Sequence, residues 1–184
     1  MRKSKLLILL TLSLSFCSCS GSLTSLYSCD YPLTDETAKT DRIPIKVKVP
    51  AGWTCIEDNE CGCIDLWLVN ADYSASLKFF ALNFDSLTML SVNKGGIKSA
   101  AGISKSFKKA KYGKELKEFS NEELFEINGR KFVAYQYPDE SKRIIRVVVF
   151  NSGGRYYECT AVEIKTASPP MLFNIQNSIL TSIE

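Results

Sequence analysis

Cysteine is the residue type in this chain with the most versatile chemistry, and three cysteines lie close together. Cys55 is followed by Cys61 and Cys63, with several acidic residues around them. In an oxidising compartment such thiols pair, which predicts a disulfide from Cys55 to Cys61 or Cys63. Three thiolates with a nearby carboxylate also suit zinc or copper(I), but this spacing matches no standard zinc pattern. The disulfide is therefore the favoured interpretation, and a metal-binding loop over 55–63 is the alternative.

A run of lysines is the second chemical feature of the sequence. Eight lysines fall between Lys94 and Lys117, and the acidic residues in and next to this stretch are Glu115 and Glu118. Such a cluster suits anionic lipid headgroups or an acidic protein partner. A solvated helix face is the alternative interpretation. The residues predicted to form this basic patch are Lys98, Lys105, Lys108, Lys109 and Lys111.

The chain contains no histidine. This composition excludes Ser-His-Asp and Cys-His catalysis and every His-ligated metal site. Tyrosines on neighbouring predicted strands suggest either a ligand platform or, as is more usual, sheet filling with hydroxyls at the rim. These residues are Tyr135, Tyr137, Tyr156 and Tyr157. No set of residues has the pattern of an active site, so we expect no enzymatic activity, no cofactor and no metal.

The N-terminus has the pattern of an export signal. Arg2, Lys3 and Lys5 precede the apolar run 6–16, which is too short to span a bilayer as a helix. Without these three residues, 20 basic residues face 20 acidic ones. A nucleic-acid-binding domain needs a basic surplus, so we expect no nucleic acid among the partners.

Two cysteines follow the apolar run, and this region resembles the lipidation site of bacterial lipoproteins. Ser18 is the small residue that such signals place before the lipidated cysteine, whereas Phe16 before Cys17 is not. We therefore predict a signal peptide over 1–19 with Cys19 lipidated and Cys17 as the alternative. The Ser/Thr/Asp-rich residues 20–41 are predicted to form a flexible tether. The predicted location is a membrane of the cell envelope, on its periplasmic or extracellular face; a soluble secreted product is the alternative.

Residues 42–184 must supply the elements that position these groups. Alternating or continuous apolar residues predict strands over 43–49, 64–70 and 77–84. Further along the chain, Asn128-Gly129 is typical of a tight hairpin, because both residues tolerate positive φ. It begins a predicted antiparallel meander of three strands with short turns.

In two segments the apolar residues recur at helical spacing instead of alternating. The segment 87–112 is predicted to be broken at Gly95-Gly96 and to bury a side that includes Ala101 and Phe107. The second helix is predicted to begin at Ser168-Pro169, an N-cap followed by proline. Because several strands are apolar on both faces, we predict an α+β fold with an antiparallel sheet flanked by helices on both faces, an α/β/α sandwich.

Three stretches resemble the PsbP-like superfamily: VPAGW at 49–53, NGRK at 128–131 and GGRYYECTA at 153–161. This superfamily includes the extrinsic photosystem II protein of plants, the yeast Ran-binding Mog protein and bacterial lipoproteins of the DcrB type. The resemblance implies a PsbP-like domain over 42–184 and a role in binding or assembly. It carries no functional residue over to this chain, and the cysteines at 55–63 lie outside its pattern.

These features together predict a membrane-tethered lipoprotein of the bacterial cell envelope. We expect it to act as a non-enzymatic binding or assembly module for a protein partner. The alternative is a small-molecule or metal-binding lipoprotein that uses the loop from Cys55 to Cys63.

Overall fold

A computed structural model describes residues 28–57, 62–113, 116, 118–164 and 169–184. These residues form nine strands and two helices in the order β1 Leu33–Ala38, β2 Val47–Pro50, β3 Trp53–Ile56, β4 Leu66–Asn70, β5 Ala75–Leu82, α1 Ser86–Tyr112, β6 Ser120–Ile127, β7 Arg130–Pro138, β8 Ile144–Ser152, β9 Arg155–Glu163 and α2 Pro169–Thr181. Seven strands build one sheet in the order β3-β4-β5-β9-β8-β7-β6, and β1 pairs with β2 separately. All of these pairs are antiparallel.

Tight turns connect the strands of the predicted meander. Asn128 and Gly129 adopt φ values of 50° and 77°, and they join paired residues Ile127 and Arg130. Two successive positive φ values suit the twist of a two-residue hairpin, which confirms the turn predicted from the Asn-Gly pair. The meander continues through β8 and β9, so its three predicted strands are present as β7, β8 and β9.

Helix α1 covers one face of the sheet. It begins after Asp85, whose carboxylate accepts a hydrogen bond from the Thr88 backbone N–H at 2.8 Å. Gly96 interrupts the helix with φ 63° and ψ −153°, which confirms the predicted break. Small buried residues, Ala100 and Ala101, let the C-terminal half of α1 approach β7 and β8 closely.

Helix α2 and the β1–β2 pair cover the opposite face. Leu172, Ile175 and Ile179 of α2 belong to the same buried cluster as Phe132 and Phe150 of the sheet. Burial of this apolar surface is the main stabilising contribution to the fold, at about 25 cal/mol per Å². With one helix on each face, the predicted α/β/α sandwich is confirmed.

The predicted tether over 20–41 is wrong for the described residues 28–41. The backbone N–H of Tyr31 donates to Ser178 Oγ of α2 at 2.9 Å, and its hydroxyl donates to the Ala51 carbonyl at 3.0 Å. Strand β1 then pairs with β2. Only the ends of β1 turn inward, so this covering strand lacks the alternating pattern by which strands are recognised. The folded domain therefore includes residues before the predicted boundary at 42, whereas the predicted signal peptide and Cys19 lie outside the described residues.

Candidate functional site

The underside of α1 carries a buried network of polar side chains. Glu158 of β9 is 3% exposed, and its carboxylate accepts a hydrogen bond from Ser104 Oγ at 2.6 Å and forms an ion pair with Lys108. Ser104 Oγ lies 2.6 Å from the Tyr135 hydroxyl. Since the single serine proton goes to Glu158, the tyrosine is the donor in this second bond. Burial, and then the charge of Glu158, raises the pKa of Tyr135, which keeps that proton in place.

This network explains why the predicted burial of Phe107 is wrong. The sequence pattern placed Phe107 on the inner side of α1, but its ring is 50% exposed. Lys108 occupies the inward position instead, because its ammonium pairs with the carboxylate of Glu158. A hydrophobicity pattern cannot identify a lysine as an inward residue, since its carboxylate partner lies 50 residues away in the chain.

The structure divides the five lysines of the predicted patch into two groups. Lys105 and Lys108 are half-buried and form ion pairs with Glu122 and Glu158, respectively. The other three point outward and are exposed; they are Lys98, Lys109 and Lys111. The outward group, with Lys94, supplies the exposed positive charge of α1, and Lys109 and Lys111 also lie over the rings of Phe119 and Tyr112. The inward group holds the helix on the sheet.

Exposed apolar side chains accompany the outward lysines on α1. Leu87 is 80% exposed, Leu90 59% and Phe107 50%. These are three of the seven large apolar residues that are exposed among the described residues, so they are concentrated on this helix. We call Leu87, Leu90, Phe107 and the three outward lysines the α1 surface; the two leucines precede the break at Gly96 and the other four residues follow it. The sequence analysis did not identify its apolar members, although leucines three residues apart at 87 and 90 were a signal.

The predicted tyrosine platform is not formed. Tyr135, Tyr137 and Tyr157 are at most 4% exposed and fill the core, while Tyr156 is half-buried beside Phe84 with ring centroids 6.0 Å apart. The alternative interpretation, sheet filling, is the correct one for these residues. Their rings lie on opposite faces of the sheet, since Tyr135 and Tyr137 pack in the cluster beneath α1 and Tyr157 packs in the other.

The predicted disulfide from Cys55 is also not formed, since Cys55 is a free thiol. Its side chain packs against the core cluster beneath α2, which directs the sulfur inward from β3. Cys63 is disulfide-bonded, and Cys61 lies outside the described residues. Among the residues that the structure describes, no three His, Cys, Asp or Glu side chains are grouped so as to hold a metal ion. Cys159 is buried and free, as predicted.

We expect the free cysteines of the described residues to react with iodoacetamide in the order Cys29, Cys55, Cys159. Cys29 is exposed, whereas burial, reinforced by the charges of Glu57 and Glu36, raises the pKa of the half-buried Cys55. Complete burial raises the pKa of Cys159 to about 12. Because the thiolate is the nucleophile, a raised pKa slows alkylation near pH 8. Peptide mass spectrometry after timed labelling measures the order, and rapid labelling of native Cys159 would contradict the buried placement.

Comparison with solved structures identifies the architecture. Cyanobacterial PsbP (CyanoP) from Synechocystis sp. PCC 6803 superposes with a TM-score of 0.56 over 87% of this chain and 98% of its own, at 15% sequence identity. The chain has a PsbP-like fold. A crystal structure from Bacteroides thetaiotaomicron also matches, with a TM-score of 0.41, 15% identity and coverage of 76% of this chain and 44% of its own. No protein-family profile and no curated protein sequence matches the chain.

At 15% identity the similarity to CyanoP establishes the PsbP-like fold and transfers no residue role. Any role of the α1 surface therefore rests on its own geometry and chemistry. In the described part of this PsbP-like domain, neither helix has the length and apolar character needed to cross a membrane.

Proposed function

We propose that the chain is a membrane-tethered, non-enzymatic binding module of the bacterial cell envelope that docks an acidic protein partner through the α1 surface. In this proposal residues 1–19 direct export and Cys19 carries the lipid, as in bacterial lipoproteins of the DcrB type. The observation that supports this proposal most directly is the α1 surface, where exposed lysines and exposed apolar side chains occupy one helix. An ion pair beneath this helix fixes it to the sheet.

The composition of the α1 surface suits a protein partner. Lys98, Lys109 and Lys111 supply positive charge that steers an acidic surface into contact and sets the orientation of the complex. Burial of exposed apolar groups such as Phe107 then contributes binding free energy in proportion to the area covered. The charged groups on the inner side of the helix are engaged with each other, so they support the surface from below.

The position of the N-terminal chain also supports the proposal. The first described residues lie beside α2, where the Asn177 side-chain amide donates to the Ser28 carbonyl at 3.2 Å. Asn174 bonds to the Asp30 carboxylate at 2.8 Å. Helix α2 and helix α1 cover opposite faces of the sheet. A lipid tether that joins the domain beside α2 is attached on the face opposite the α1 surface, so its attachment point does not cover that surface.

Charge reversal of the outward lysines tests the proposal. We expect the Lys98→Glu/Lys109→Glu/Lys111→Glu variant to lose at least about tenfold in partner cross-linking, because repulsion replaces attraction at an acidic partner surface. Gly102 is an exposed position of α1 where an added side chain meets no atom within 4 Å. A photo-crosslinking amino acid at 102, in the full chain expressed in a bacterial envelope, measures partner capture directly.

Matched controls distinguish docking from loss of charge or of folding. The Lys46→Glu/Lys48→Glu/Lys131→Glu variant reverses three exposed lysines outside α1 and is expected to cross-link like the wild type. The Cys19→Ser variant is expected to appear in the soluble fraction instead of the membrane fraction, with its domain still folded. Equal loss of capture in both lysine variants would contradict the α1 assignment, and unchanged membrane retention of Cys19→Ser would contradict the proposed anchor.

A further inference from the structure

A second surface feature lies at one end of the large sheet, beside the N-terminal end of α1. A cavity of about 280 Å³ opens where β5 ends at Leu82 and β9 begins at Arg155. The segment that precedes β2 forms one wall through Arg42, and Phe84 and Tyr156 form an aromatic wall. Of the candidate residues that the sequence analysis named, Tyr156 and Tyr157 line this cavity.

One residue of the cavity wall has a buried hydroxyl without a partner among the described residues. Tyr157 lines the cavity and is only 1% exposed, with its ring stacked on Phe150 at a centroid distance of 5.5 Å. Within the described part of the chain, its hydroxyl has no hydrogen-bond partner. A buried polar group without a partner is unfavourable and rare, so each such group requires an explanation. Burial raises the pKa of Tyr157, so the hydroxyl keeps its proton and is available as a donor.

The charged groups at the cavity favour an anion. Arg155 is exposed and forms no hydrogen bond or ion pair with any described residue, and it shares a sheet face with Tyr157 two residues later. Arg42 is fixed by donating Nη1 to the Ile64 carbonyl at 3.3 Å. Asp65 is the one carboxylate among the cavity residues, and its Oδ2 accepts from the Ala81 backbone N–H at 2.7 Å. Arg155 therefore supplies one positive charge at the cavity that no described residue engages.

We propose that this cavity binds a small monocarboxylate with an apolar body. The carboxylate accepts the hydrogen bond of the Tyr157 hydroxyl and pairs with Arg155, while the apolar body lies against Phe84 and Tyr156. Arginine presents a planar fork of donors that matches a carboxylate. A monoanion neutralises the single charge of Arg155, whereas a phosphate dianion overcompensates it. Met89 of α1 lines this cavity but no member of the α1 surface does, so either proposal can fail without the other.

Calorimetric titration of the purified full chain with benzoate, hexanoate and inorganic phosphate tests the proposal. We expect both carboxylates to bind with one-to-one stoichiometry at millimolar concentrations and phosphate to bind at least about tenfold more weakly. Tyr157→Phe should weaken benzoate roughly tenfold or more, because it removes a hydrogen bond to a charged group. Arg155→Gln should weaken it by a similar factor through loss of the ion pair. Tyr73→Phe and Arg143→Gln change exposed residues outside the cavity and should leave benzoate affinity unchanged.

Thermal unfolding without ligand provides a second measurement, which distinguishes a binding role of Tyr157 from a purely structural one. The hydroxyl makes no bond to a described residue, so Tyr157→Phe should unfold at the wild-type temperature or higher while losing benzoate affinity. Full benzoate affinity in Tyr157→Phe, preference for phosphate over both carboxylates, or no binding of either carboxylate at millimolar concentrations would each overturn the proposal.

Discussion

Replacing Glu158 with alanine is expected to lower the free energy of unfolding by about 3–5 kcal/mol, because a half-buried ammonium loses its only anionic partner among the described residues. Side-chain exposure is 17% for Lys108 and 4% for Glu158, so water compensates little for the loss. The same substitution removes the acceptor for the Ser104 hydroxyl. Chemical denaturation followed by circular dichroism measures the change.

The pair formed by Lys105 and Glu122 is a matched control on the same helix. Glu122 is 54% exposed, so Glu122→Ala should cost at most about 1 kcal/mol. The double variant Lys108→Met/Glu158→Leu should recover much of the loss, since apolar side chains of similar size replace a buried ion pair at little net cost. Equal stability of Glu158→Ala and Glu122→Ala would show that the buried network does not hold α1 on the sheet.

Replacing Arg146 with alanine is the second substitution with a large expected effect, about 3 kcal/mol or more. Arg146 is 3% exposed, and its Nη1 donates to Gln176 Oε1 and Asn177 Oδ1 of α2, both at 2.8 Å. Its guanidinium also lies 5.6 Å from the Phe125 ring centroid and 5.3 Å from that of Phe173. Alanine leaves two buried acceptors without this donor and opens a gap between the two rings.

Two further variants separate the contributions of Arg146. Arg146→Lys should recover only part of the stability, because an ammonium lacks the planar fork and stacks less well between rings. Arg143→Ala, three residues earlier, removes an arginine whose side chain is 41% exposed and should cost at most about 1 kcal/mol. Denaturation midpoints measure all three variants, and a fully stable Arg146→Lys would show that charge alone, not the fork, joins α2 to the sheet.

The two buried charged residues have a shared consequence for the proposed function. Glu158 fixes α1 from below and Arg146 fixes α2, so each covering helix is joined to the sheet by a specific polar contact as well as by apolar packing. A rigid α1 presents its outward lysines and Phe107 in one arrangement, which lowers the entropy cost of docking a partner. The Glu158→Ala variant is therefore expected to weaken partner capture even though it leaves the α1 surface itself unchanged.

The sequence by itself determined the features that depend on near neighbours in the chain. The hairpin at Asn128-Gly129 follows from residues that accept positive φ, and the break in α1 follows from Gly96. Apolar periodicity was enough to predict a sheet covered by helices on both faces. It also predicted that Cys159, on a strand apolar on both sides, is buried and free. In each case the physical cause lies within a few residues of the feature.

Only the tertiary structure decided the features that join distant parts of the chain. The ion pair of Lys108 with Glu158, the pairing of β1 and the inward direction of Cys55 all depend on which strands become neighbours and in what register. The cavity around Tyr157 likewise needs segments that are more than 100 residues apart in the chain. Local patterns contain no information about such contacts, because a charged or polar residue is inward only when its partner is brought to it by the fold.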